Sequence, residues 1–305
     1  MPVVEISRLR LLLSLAIGLV AVSFASILIR LAQAAGMDTL AIAAWRLILA
    51  SILLLPYAWA TRRAELKALS RRQAGLLAIA GAFLGLHFAT WIASLGYTSV
   101  ASAAVLVSMG PVFVGLGSWL FWGERPAPRL ALGIVLAAIG SILISWGDLG
   151  LGRDQLLGDL LALLGGIMVA GYLMIGRSVR GRLSLPAYVG LVYGTGMITL
   201  LVVALFWQQP LFGFAPAAYA WVLLLALGPQ LVGHSTLNWA LRYLSATFVA
   251  IATLAEPVGS GLLAYVILGE AITTSTAIGG VLVLAGIYIA SRAELAATSG
   301  VGAGT

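Results

Sequence analysis

The sequence predicts an all-α membrane protein whose ten transmembrane helices form two inverted five-helix repeats. Three observations predict it: a large apolar excess, apolar stretches of span length between charges, and self-similarity at a fixed shift of 146 residues. Of 305 residues, 62% are hydrophobic and 9% are charged, against about 25% charged in an ordinary soluble chain. Mean hydropathy is +1.09. So few polar groups cannot cover a water-soluble globule, whereas lipid accepts apolar surface. The chain has no Cys and only two His, which excludes disulfides and thiol nucleophiles and argues against a metal centre. The net charge of +7 does not point to nucleic acid, because the basic residues lie in short runs between apolar stretches, the pattern of membrane topology.

A helix needs about 20 mostly apolar residues to cross the hydrocarbon core. Leu11 to Ile29 is the first such stretch, and Thr39 to Thr61 the second, interrupted by Arg46. Gln73 to Gly123 is uncharged and of double length, and Gly96-Tyr97-Thr98-Ser99 offers a tight hairpin within it. Leu130 to Gly147 and Leu160 to Gly176 are the fifth and sixth spans. Leu183 to Leu241 is double length again, split between Trp207 and Pro216. Tyr243 to Leu268 contains Glu256, and Ala271 to Ser291 is the tenth span. The first span has an alternative reading as a signal peptide, with Arg8 and Arg10 before it and Ala32-Gln33-Ala34 as a cleavage site. Its apolar run exceeds the usual 7–15 residues, and Arg30 sits where a signal should be uncharged.

Orientation follows from Lys and Arg in short loops. With the N-terminus inside, the inner segments hold Arg8, Arg10, the run from Arg62 to Arg72, Arg125, Arg129, the group from Arg177 to Arg182, Arg242 and Arg292; the outer ones hold Arg153 and Arg30. Both termini are therefore expected in the cytoplasm.

At a shift of 146 residues, Pro111-Val112 falls on Pro257-Val258 and Gly123-Glu124 on Gly269-Glu270. Leu95, Tyr97 and Ser99 fall on Leu241, Tyr243 and Ser245, and Gly133 and Gly140 on Gly279 and Gly286. Five spans per half is an odd number, so the second half (151–305) enters the membrane upside down relative to the first (1–150). Inverted repeats with a midplane site between them are the architecture of many secondary transporters.

The paired Pro-Val and Gly-Glu motifs, with Trp45-Arg46-Leu47 in the second span and Glu256-Pro257-Val258 in the ninth, resemble the drug/metabolite transporter superfamily, EamA type. The resemblance covers nearly the whole chain. It implies a non-enzymatic exporter of small metabolites in a bacterial inner membrane, and the aromatic-rich pattern is similar to amino-acid exporters, including those for aromatic amino acids. A multidrug exporter is the alternative within transporters.

Ionisable groups at membrane depth default to functional hypotheses. Glu256 precedes Pro257, which removes a backbone donor and frees a carbonyl. It reads as a proton-sensitive or amine-binding carboxylate, or as a structural one. Arg46 either snorkels outward or attracts carboxylates into a cavity. Gln230, His234 and Asn238 share one helical face, as do His87, Thr90, Trp91 and Ser94, and the first span adds Ser23, Ser26 and Arg30. Such stripes face a cavity or another helix. Six Trp lie near span ends, where aromatic belts belong, which leaves Trp45, Trp91 and Trp239 inside. The expected substrate site is Trp45, Arg46, His87, Trp91, His234, Asn238, Trp239 and Glu256, with hinges at Pro111 and Pro257. The expected partners are a small-molecule substrate and the lipid bilayer, with no nucleic acid. No Gly-rich stretch ends in the Lys-Ser/Thr of a phosphate loop, so no nucleotide or other cofactor is expected. The competing class, an intramembrane lipid-modifying enzyme, needs clustered acid and base groups near an interface, whereas His87, His234 and Glu256 are dispersed in sequence.

Overall fold

The computed structural model describes residues 7–94, 97, 106–107, 109–123, 125–145, 153–268, 272 and 274–300. Within these residues the chain is helical, without strands. The hairpin at Gly96 to Ser99 (Tyr97 apart), Trp146 and the Glu124 and Gly269-Glu270 motif positions lie outside them.

The helices are α1 (Arg8–Ser23), α2 (Ala25–Ala34), α3 (Thr39–Lys67), α4 (Arg71–Ser94), α5 (Gly110–Trp122), α6 (Pro128–Ser145), α7 (Arg153–Arg180) and α8 (Leu185–Phe206). Then come α9 (Pro216–Leu225), a π-helical stretch (Ala226–His234), α10 (Ser235–Ala240), α11 (Ala246–Thr253), α12 (Ala255–Leu263), a short π turn (Ala264–Leu268) and α13 (Thr274–Gly300). Among the described residues seven helices are long and apolar enough to cross a bilayer, and three shorter apolar helices accompany them. Their outer faces carry large exposed apolar side chains such as Leu13, Ile17, Val20, Leu120, Phe121 and Val202, surface that only lipid solvates cheaply. Trp59, Trp119, Trp122 and Trp207 are exposed near helix ends, as belt residues should be.

Helix starts follow local chemistry. Ser70 and Gln73 form a reciprocal capping box before α4, with Gln73 N–H donating to Ser70 Oγ at 3.2 Å and Ser70 N–H to Gln73 Oε1 at 3.0 Å. Pro186 and Pro216 stand in the first turns of α8 and α9, where a missing N–H costs nothing. The Glu65 carboxylate accepts from Ser184 N–H at 2.6 Å and from Ser184 Oγ at 2.7 Å, tying the end of α3 to the start of α8. Gly123 closes α5 with a left-handed φ of 69°.

Four irregularities matter. The first span breaks at Phe24 between α1 and α2, and Ser260 Oγ donates to the Ser23 carbonyl there at 2.9 Å. Helical geometry also breaks just before each expected hinge proline: Met109 precedes Pro111 with ψ −1°, and Leu254 precedes Pro257 with ψ −11°. The fourth is the π stretch Ala226–His234, which contains Pro229. In α4, at the same place in the other half, the helix is continuous.

The most extensive helix contact is α6 against α13. A β-carbon on Gly133 would stand 2.8 Å from the Gly286 carbonyl oxygen, and one on Gly140 would stand 2.5 Å from that of Gly279. The backbones touch, as small residues permit. Residue numbers rise along one helix as they fall along the other, so the two run antiparallel. The two contacts also exchange under the 146-residue shift, because 133 maps to 279 and 140 to 286.

Gly140→Ala is therefore expected to lower stability by about 1–3 kcal/mol, the scale of an overpacked site. Gly75→Ala, with nothing within 4 Å of the added carbon, is expected to be neutral or mildly stabilising. Thermal unfolding of the two purified variants checks this; equal melting temperatures refute the close-packed seam.

Candidate functional site

Arg46 sits in the second turn of α3 and is only 1% exposed. It has not snorkelled outward. Its guanidinium carbon lies 4.0 Å from the centroid of the Phe88 ring, a cation–π contact. Its Nε donates to Gln230 Oε1 at 3.0 Å, across from the π stretch. Glu256 on α12 is within electrostatic reach of this guanidinium, and so are His87 and His234. Residues dispersed through the sequence thus gather around one buried cation.

The rings form the other wall. His87 Nδ1 lies 2.9 Å from the Gly165 carbonyl of α7. A carbonyl only accepts, so Nδ1 carries a proton and donates it to that oxygen. Trp91 stacks on His87 with centroids 6.0 Å apart and planes 10° apart. Phe88 meets His234 edge to face at 5.5 Å. Phe88 and His234 are 146 residues apart, so equivalent positions of the two halves touch each other. Ala137 and Val283, also 146 apart, share another buried cluster. Both pairs bring positions 146 residues apart together, and Arg46 packs on Phe88 of the first pair.

Not every expected site residue joins this group in the same way. Asn238 is fully buried and engaged: Tyr172 OH donates to its Oδ1 at 2.5 Å, its Nδ2 donates to Tyr193 OH at 3.3 Å, and its carbonyl accepts from Arg180 Nε at 2.8 Å. It acts as a polar hub linking α7, α8 and α10. Trp239 packs against Tyr243 at 5.1 Å. Trp45 donates from Nε1 to the Leu211 carbonyl at 2.6 Å and meets Phe212 and Tyr219 edge-on. It therefore braces the chain between α8 and α9 rather than the Arg46 cluster. The hydroxyls of Ser23, Thr90 and Ser94 bond to carbonyls of their own helix, so those stripes need no cavity. Pro111 is buried and Pro257 half-buried.

Sequence reasoning missed the buried tyrosines Tyr172, Tyr188 and Tyr193. It also placed Arg180 among loop cations, whereas Arg180 is 1% exposed, hydrogen-bonded to the Asn238 and Leu183 carbonyls and 5.6 Å from the Tyr188 ring centroid. Their only sequence signal is a run of aromatics on an uncharged stretch, indistinguishable from a belt or a core. Gln230 lay in a recognised stripe, but only the fold shows that it faces Arg46. Burying an unpartnered donor costs about 1–3 kcal/mol. Arg46 Nη2 and Gln230 Nε2, both buried, have no partner.

Known proteins sharpen the picture. Residues 9–146 and 156–292 each match the EamA-like transporter family. An uncharacterized transporter from Archaeoglobus fulgidus is 28% identical over 293 residues, covering 94% of this chain and 99% of that protein. The pseudopaline exporter CntI of Pseudomonas aeruginosa is 27% identical over 228 residues, 74% of this chain and 78% of that protein. A solved crystal structure superposes with a TM-score of 0.75 over 94% of this chain and 98% of the other at 19% identity, a likeness of fold.

Asn238→Leu, which takes the acceptor from the Tyr172 hydroxyl while Tyr193 keeps the Gln230 carbonyl and the Ser235 hydroxyl, is expected to cost about 1–3 kcal/mol, read as a fall in melting temperature. A wild-type melting temperature in this variant contradicts the hub.

Proposed function

The chain belongs to the EamA-like transporter family, and from that premise we propose that it exports amino acids or related small metabolites across the bacterial inner membrane by alternating access. The proposal has ten spans in two inverted five-helix repeats, residues 1–150 and 151–305, with both termini cytoplasmic. Its support is the paired family match, the antiparallel α6–α13 seam and the basic bias of the inner segments. The likeness to an exporter of pseudopaline supports outward movement of a polar metabolite.

The observation that carries the reading is the buried guanidinium of Arg46 beside the Phe88–His234 pair, within reach of Glu256, His87 and His234. Charge inside a membrane protein is costly and marks ion or solute paths, and the interface between inverted repeats is where such transporters bind substrate. In the proposed mechanism the two halves rock about this point, with bending at the helix breaks before Pro111 and Pro257. Glu256 either takes the ammonium of the solute or carries a coupling proton. Trp91 and the histidine rings face its body. Energy comes from a solute or ion gradient.

The test is flux of labelled amino acids in proteoliposomes of the purified protein. Glu256→Gln is expected to fold and to lower flux by about tenfold or more, the scale of one lost charge-assisted interaction, or to make it independent of pH. Wild-type flux with unchanged pH dependence removes Glu256 from the mechanism. Single cysteines at Arg63 or Lys67, in this Cys-free chain, are expected to react with impermeant reagents from the cytoplasmic side alone; outside labelling refutes the orientation.

A further inference from the structure

Two neighbouring buried donors lack acceptors. Arg46 Nη2 and Gln230 Nε2 make no hydrogen bond, although the same two side chains are joined by the Arg46 Nε to Gln230 Oε1 bond at 3.0 Å. That bond fixes both groups. The guanidinium is fixed further by the Phe88 ring beneath it. The free N–H groups thus belong to two planar side chains that are already bonded to each other, one of them carrying a full positive charge. A fork of N–H donors beside a guanidinium matches a planar group with two acceptor oxygens and negative charge.

From this arrangement we infer that Arg46 Nη2 and Gln230 Nε2 are the carboxylate-recognition fork of the transport site, which rests on the transporter reading above and adds the groups that take the substrate's carboxylate. Charge balance narrows the class further. Glu256 lies within electrostatic reach of Arg46, so a simple carboxylate brings a second acidic group beside it, whereas a zwitterion brings a cation as well. Its carboxylate takes the fork and its ammonium takes Glu256. Water as the missing acceptor meets the hydrogen-bonding need but not the charged geometry. The fork is closed to solvent in this conformation, with Arg46 1% and Gln230 0% exposed. A ligand reaches it when the π stretch bearing Gln230 shifts against α3. The irregular hydrogen bonding of that stretch, a feature found at functional sites, suits it to such a shift.

The experiment uses the full chain in detergent and in proteoliposomes. The probes are the common amino acids and short dicarboxylic acids, each beside its primary amide and its methyl ester. Thermal stabilisation and competition against flux are read for the wild type and for Gln230→Glu, Gln230→Leu and Gln230→Asn. Gln230→Glu turns the free donor into an acceptor that pairs with Arg46 itself. The expected result is that one or more zwitterionic acids stabilise and compete while their amides and esters do not. Gln230→Glu and Gln230→Leu then weaken acid binding about tenfold or more, and Gln230→Asn, which retains the amide, recovers part of it. Ligand-free melting temperatures show which variants are folded and so enter the comparison. If amides and esters compete as well as the acids while flux persists, the fork is overturned and the transporter reading stands. If Gln230→Glu or Gln230→Leu binds acids with wild-type affinity, the fork is likewise overturned. If no solute moves or binds, the transporter reading fails and the fork fails with it.

Discussion

A guanidinium buried where the bilayer offers no water governs this structure. Arg46 cannot be solvated by lipid, and Arg does not lose its proton at physiological pH. The protein must therefore surround it with compensating groups. Phe88 supplies its ring face and Gln230 its amide oxygen, and Glu256 lies within electrostatic reach. These come from three helices in both halves of the chain, so satisfying one side chain fixes how α3, α4, the π stretch and α12 stand together. The aromatic packing around it places His87 on Trp91 and His234 on Phe88.

A second constraint sits below the first. Asn238 accepts from Tyr172 and donates to Tyr193, and Arg180 donates to the carbonyls of Asn238 and Leu183. Satisfied buried networks of this kind rigidify the elements they join. The molecule thus combines a polar knot in which both side-chain atoms of Asn238 are bonded with a cluster around Arg46 that leaves two donors without a partner. The contrast is chemically meaningful: the first has every reason to stay as it is, and the second has two donors with something still to gain.

Membrane class, helix positions and internal similarity were readable in the sequence because they depend on composition and spacing. Apolar runs of bilayer length, short basic segments and the Gly133/Gly279 and Gly140/Gly286 correspondences all survive in one dimension. The grouping of Arg46, His87, His234 and Glu256 was anticipated, since charged groups deep in a membrane have few tolerable places. What spacing cannot convey is which partner a polar side chain meets. Asn238 looked like a cavity residue and is occupied by tyrosines. Trp45, next to Arg46 in the chain, turns to the Leu211 carbonyl instead. Arg180 looked like a loop cation and is buried. The π stretch also escaped notice, because Pro229 signals a disturbed helix but not a widened one, and widening changes which residues share a face.

The packing of positions 146 residues apart, in the pairs Phe88–His234 and Ala137–Val283, has one more consequence under the proposed inverted-repeat arrangement. For two identical halves, rotating one against the other would produce opposite-facing states of equal free energy, and the resting molecule would divide evenly between them. Every departure from identity is then a bias. Arg46 is matched by Val192 in the other half, Gln230 by Leu84, Glu256 by Gly110, and the π stretch by continuous α4. All four differences fall around the same buried cation. In the proposed mechanism the residues assigned to the solute would therefore also bias which side of the membrane the empty protein faces, so its resting orientation would follow from broken symmetry at the centre, while the gradient sets the direction of net flux.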